Sequence, residues 1–136
     1  MRKKNELCEK AIDELRYCTG LTSALLNKED ELKEIEIKMS LETKESVLKR
    51  LAKQKDRLAK EILLCRSRLG RFRRAMETLT DRQRFLLEHL YVLDSPALSI
   101  MEALCIEKSA FYRLRRETLS AFVRALYGVD PYGDAA

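Results

Sequence analysis

The sequence predicts an all-α protein, with a long N-terminal helical hairpin or coiled coil followed by a helix-turn-helix head. Three observations predict it. Apolar residues recur at steps of three and four along most of the chain, and strand-type alternation is absent. Only two prolines and four glycines interrupt 136 residues. Charged residues make up 36% and aromatics 7%, the composition of solvated helix surface over a thin core.

The first helix is expected from Lys3 to Cys18, with Leu7, Ala11, Leu15 and Cys18 on one side. Thr19-Gly20 reads as its break, and Thr22 or Ser23 can cap the next helix. That helix carries Leu21, Leu25, Leu32, Ile35 and Met39. Between Ser40 and Ser46 the phase slips, a turn or kink that no Gly or Pro marks. Then Leu48, Leu51, Lys55, Leu58, Ile62, Cys65, Leu69, Phe72, Met76 and Leu79 alternate steps of three and four. A stripe of that length must be covered. A fold back onto residues 21–41, with the first helix as a third strand, is the favoured cover; a second subunit is the other, and a homodimer through this stalk is expected as well.

Thr80-Asp81-Arg82-Gln83 has the form of a capping box, Thr at the cap and Gln three residues on. The helix it opens turns Phe85, Leu86, Leu87, Leu90, Tyr91 and Leu93 inward. Asp94-Ser95-Pro96 ends it, with Ser95 as the next cap and Pro96 at the first helical position. A short apolar helix, Ser99 to Leu104, runs into a tight corner at Cys105-Ile106. The last helix is expected from Lys108 to Tyr127, closed by Gly128. The domains are then a stalk over 1–79, a helix-turn-helix over 80–128 and a loose tail over 129–136. Seven of the nine aromatics follow residue 80, which puts the compact core there.

On a helical wheel, Phe111, Leu114, Thr118, Phe122 and Leu126 share one side of the last helix. Ser109, Arg113, Arg116 and Ser120 cluster opposite, with Tyr112 flanking. Long donors in the first turns of a helix, behind a short helix and a tight corner, suit entry into a DNA groove. The DNA-contacting residues expected are Lys108, Ser109, Tyr112, Arg113 and Arg116. Arg115 falls near the core side, where it can run along Phe111 and Phe122 or reach a phosphate.

Net charge is +5 and uneven. Lys44 to Arg74 holds twelve Lys/Arg against three acids, a local +9; Leu21 to Thr43 holds three against six, or −3. The basic stretch either attracts phosphate or pairs with the acidic one. Cys8, Cys18, Cys65 and Cys105 show no C-x-x-C spacing and His89 is the single histidine, so no metal and no cofactor are expected. His89 reads as a surface or core-edge residue. Lone thiols suit a reducing cytoplasm, and neither a secretory signal nor a membrane span is legible. No nucleophile–base pair, phosphate loop or carboxylate constellation points to an enzyme.

Leu79 through Leu119 resembles region 4 of bacterial sigma factors. Ser99-Ile100-Met101-Glu102-Ala103-Leu104 stands for the short helix, Cys105-Ile106-Glu107 for the corner, and Phe111 to Leu119 for the reading helix. The phrase Phe-Tyr-Arg-Leu-Arg-Arg-Glu-Thr-Leu is closer still to phage and prophage regulators of the RinA and ArpU kind and their relatives. The likeness covers about the last 50 residues, the earlier part only in general layout. Cys105 stands where those proteins have Gly, and Glu107 where they have a capping Ser. The resemblance implies a sigma region-4-like head, a cytoplasmic phage or prophage transcription regulator in a bacterial host, and as partners double-stranded DNA and RNA polymerase. Two alternatives stand beside it: a small-terminase-like DNA-packaging oligomer, and an RNA polymerase interaction protein that does not bind DNA.

Overall fold

The computed structural model describes residues 5–133, which form helices α1 (Glu6–Leu41), α2 (Glu45–Glu77), α3 (Asp81–Leu87), α4 (Ala97–Leu104) and α5 (Lys108–Tyr127). A single π-helical turn, Glu88–Val92, follows α3. There is no strand among the described residues, so the fold is all-α. Two compact units divide the chain: residues up to 19 together with those from 71 onward, and residues 20–70. The boundary read from the sequence at 79/80 lies inside the first of these.

The break expected at Thr19-Gly20 is not there; α1 is continuous through both residues. The Thr19 hydroxyl donates to the Leu15 carbonyl at 2.7 Å, which satisfies it inside the helix. Glycine costs a helix interior about 1 kcal/mol. Cys18 and Leu21, on either side, are both buried, and burial of one such apolar side chain offsets that cost at about 1.5–3 kcal/mol. Thr22 and Ser23 are therefore interior residues, not caps, and the helix expected as a third strand of the hairpin bundle is the first half of α1, which packs in the first compact unit instead. The expected start at Lys3 lies outside the described residues.

In the unit of residues 20–70, the two long helices form an antiparallel hairpin. Ile35, Leu51, Leu58 and Ile62 make its core, flanked by Leu25, Leu32, Met39 and Val47. The phase slip marks the turn, residues 42–44. It needs no Gly because the Glu42 carboxylate accepts from the backbone N–H of Thr43 and of Lys44, both at 3.0 Å. Across the hairpin Arg66 pairs with Glu29, Lys28 with Glu61 and Lys55 with Glu36.

In the other unit, Ala11 and Leu15 of α1, Ala75 of α2 and Leu79 close with Leu87, Tyr91, Leu119, Phe122 and Val123 into one buried cluster. The capping box forms: the Thr80 hydroxyl accepts from Gln83 N–H at 3.2 Å and the Gln83 side chain accepts from Thr80 N–H at 3.0 Å. Leu93, expected inward, is exposed. The π turn adds a residue to the last turn, with Leu93 N–H reaching back five residues to the Glu88 carbonyl, and this rotates Leu93 out.

Candidate nucleic-acid interface

The helix-turn-helix is built around one contact. Leu86 of α3, Ile100 of α4 and Phe111 of α5 are each nearly fully buried and meet as a separate cluster, flanked by Met101, Leu104, Ile106 and Leu114. That triangle sets α4 and α5 on one support. Helix α4 begins at Ala97, with Pro96 at the cap, one residue after the Pro96 start and two before the Ser99 start that the sequence suggests. Ser95 does not cap it because it is engaged behind: its N–H donates to the His89 carbonyl at 2.7 Å and its Oγ sits 3.5 Å from His89 Nδ1. His89, half-buried, stacks on Phe85 with centroids 4.0 Å apart, a core-edge residue.

The corner between α4 and α5 is a Schellman turn. Cys105 takes the left-handed conformation, φ 55° and ψ 47°. Its N–H donates to the Glu102 carbonyl, and Ile106 N–H reaches the Met101 carbonyl at 3.0 Å. Met101 and Ile106 supply the apolar contact that accompanies such turns. The glycine geometry is thus kept by a cysteine, at a steric cost of about 1–2 kcal/mol. Arg82 donates from Nη2 to the Leu104 carbonyl at 3.2 Å, satisfying a helix-end acceptor and tying α3 to the corner.

Helix α5 begins at Lys108 behind Glu107, whose side chain makes no cap bond. Lys108, Ser109, Tyr112, Arg113 and Arg116 are all exposed in its first three turns. Tyr112 is 50% exposed and meets Phe111 edge-on. The buried side holds Phe111, Thr118, Leu119, Phe122 and Val123. Compared with the wheel reading, it is turned by about 40° toward Leu119 and Val123. Two consequences follow. Arg115 has the helical angle of the buried arc but remains exposed, and it donates from Nε to Tyr91 Oη at 3.0 Å rather than running along Phe111 and Phe122. That bond raises its pKa further and takes it off the outer face. Glu117 and Arg124, not singled out from the sequence, come round beside Arg113 and Arg116 and line the same groove.

The tail is also part of this face. Of the tail expected to be loose, Asp130, Pro131 and Tyr132 are partly buried while Val129 and Gly133 are exposed; 134–136 lie outside the described residues. Asn5 donates from its side-chain amide to the Pro131 carbonyl. The Asp130 carboxylate accepts from Tyr132 N–H at 3.0 Å. The Arg116 guanidinium lies over the Tyr132 ring, and Asp130, Tyr132 and Gly133 wall the groove that runs along Arg113, Arg116 and Arg124. Burial, with a hydrogen bond from Cys8, pushes the Tyr132 hydroxyl up to about 12. No periodicity in five residues announces such a strap; it depends on Arg116 of α5 and on Asn5 and Cys8, more than 100 positions away.

Of the expected contacts, Lys108, Ser109 and Tyr112 stand clear of the tail, Arg113 lines the groove the tail walls, and Arg116 is engaged by it. No group of three or more potential metal-ligating side chains occurs among the described residues, and none of their helices is long and apolar enough to cross a membrane. The chain matches no family model, no curated protein and no solved structure.

Proposed function

We propose that the chain is a DNA-binding transcription regulator of the phage and prophage type, acting in the bacterial cytoplasm through a sigma region-4-like helix-turn-helix. One observation carries the reading. The first turns of α5 hold Lys108, Ser109, Tyr112 and Arg113 outward and uncovered, while Phe111 anchors the other side to Leu86 and Ile100. Such a helix offers groove-reaching donors on a rigid base. RNA polymerase is the further partner the reading implies. A homodimer through the helical stalk is part of the reading: one apolar seam is covered within the chain, and Leu26, Ile37, Leu63 and Leu64 are left exposed on the stalk.

The test is fluorescence anisotropy with phage-promoter and random duplexes at low salt. Binding that falls steeply with salt, and weakens about tenfold or more in Arg113→Ala/Arg116→Ala, agrees with the reading. Unchanged affinity in that variant overturns this surface. The tail across Arg116 and the acids Glu107 and Glu117 favour a second reading, a polymerase-binding protein without DNA affinity. Absence of any duplex binding, with retention on immobilised polymerase, selects it.

A further inference from the structure

Between Lys44 and Arg74 the cations far outnumber the acids, and the hairpin sorts them into two groups. Lys55 and Arg66 face α1 and are matched by Glu36 at 3.8 Å and Glu29 at 2.7 Å. Lys49 is matched by Glu45 in its own helix, and Glu61 is taken by Lys28. Arg50, Lys53, Arg57 and Lys60 are different. They are exposed, and among the described residues none of the four makes an ion pair or a hydrogen bond. They follow one another at steps of three, four and three, so they form a single row. At 3.6 residues per turn that row lies about 100–180° from the Leu51, Leu58 and Ile62 seam. Asp56 borders it. Glu31 and Glu34 of α1 share a groove with Arg57 without pairing to it.

We propose that this row, Arg50, Lys53, Arg57 and Lys60 on the outer side of α2, is a second contact surface for double-stranded DNA, one that grips the phosphate backbone without reading sequence. The inference rests on the reading of the chain as a duplex binder but not on the helix-turn-helix. Charge spacing argues for this partner. From Arg50 to Lys60 the helix rises about 15 Å at ~1.5 Å per residue. Each DNA strand carries a phosphate every ~3.4 Å of axis, so about four per strand fall within that length, a charge density comparable with that of the row. Among the described residues none of these four charges is held in an ion pair, though Glu31, Glu34 and Glu61 line the groove beside Arg57, so a phosphate meets them without displacing a bonded partner. Backbone contacts release counterions and position a protein without specifying bases.

The experiment is a salt titration of the full chain on a random 30-base-pair duplex, followed by anisotropy. Three proteins are compared: wild type, Arg50→Gln/Lys53→Gln/Arg57→Gln/Lys60→Gln, and the charge-preserving Arg50→Lys/Lys53→Arg/Arg57→Lys/Lys60→Arg. Each phosphate contact adds about 0.9 to the slope of log affinity against log salt, so the glutamine variant, four contacts short, is expected to be shallower by about 3.6. The charge-preserving variant is expected to keep the wild-type slope. Glutamine suits an exposed helix, and circular dichroism checks the fold. If the quadruple variant loses helicity, the pairs Arg50→Gln/Lys53→Gln and Arg57→Gln/Lys60→Gln take its place, each expected to lower the slope by about two. A slope unchanged in the glutamine variants, while Arg113→Ala/Arg116→Ala weakens binding, overturns the row and leaves the head. The reverse pattern upholds the row and overturns the head. A wild-type chain that binds no duplex overturns both.

Discussion

The Arg116 guanidinium lies over the ring of Tyr132, 4.1 Å from its centre, so the tail and the outer face of α5 hold each other. The stack leaves the in-plane N–H donors of Arg116 free but fixes the plane of its guanidinium, so the tail limits the directions from which a phosphate can be met. Tyr132→Ala removes the ring and its contact with Cys8. The expected cost is about 1–2 kcal/mol, read as a melting-temperature drop of a few degrees. Duplex affinity is expected to rise, because Arg116 is released. A weaker complex in Tyr132→Ala would show instead that the ring helps form the binding surface.

The same residue gives a pH signature. Tyr132 titrates near 10 in an unfolded chain and at about 12 when folded. Between those values the unfolded chain has lost a proton that the folded one keeps, so stability falls as pH rises through that window. The buried Cys8 thiol, also raised, adds a fall in the same direction starting from about 9. Tyr132→Phe has no proton to lose. Urea midpoints measured from pH 9.5 to 11.5 are expected to fall less steeply in that variant than in wild type, and parallel slopes would refute the assignment.

Gly20 sits inside continuous α1 with open space where a Cβ would stand. Gly20→Ala is therefore expected to stabilise by about 0.5–1 kcal/mol, through helix propensity and a less flexible unfolded chain. Had the helix ended here on a left-handed glycine, the same change would destabilise. Chemical denaturation decides between them by the sign alone.

Cys105 pays for a backbone conformation that glycine adopts freely. Cys105→Gly is expected to raise stability by up to about 1 kcal/mol, while Cys105→Val lowers it by a similar amount or more. Denaturant midpoints of the two variants on opposite sides of wild type are the expected result. A loss of stability in both would mean that the thiol, not the turn geometry, matters at this corner.

Thr118 is fully buried and its hydroxyl has no hydrogen-bond partner. Thr118→Val keeps the shape and removes an unpaired polar group, so a gain of about 0.5–1.5 kcal/mol is expected. Thermal melts check it; a clear loss would mean that the hydroxyl has a partner in solution.

Local chemistry made most of this protein legible from its residues. The Thr80–Gln83 box, the Lys108 start and Gly128 end of α5, the hairpin turn at the phase slip and the α4–α5 corner all depend on neighbours within a few positions, and each is where the pattern puts it. The exposure of Arg113 followed from the amphipathic period alone. Other features were decided by distant partners. Burial of Cys18 and Leu21 carried α1 through Gly20. Packing of Leu119 and Val123 turned α5 and sent Arg115 to Tyr91. Asn5, Cys8 and Arg116 fixed a tail that has no pattern of its own. Sequence by itself determines where helices start, stop and face, because those free energies are local. Only tertiary structure determines how far a helix rotates, and which charges are consumed and which are left for a partner, because those depend on side chains brought together from across the chain.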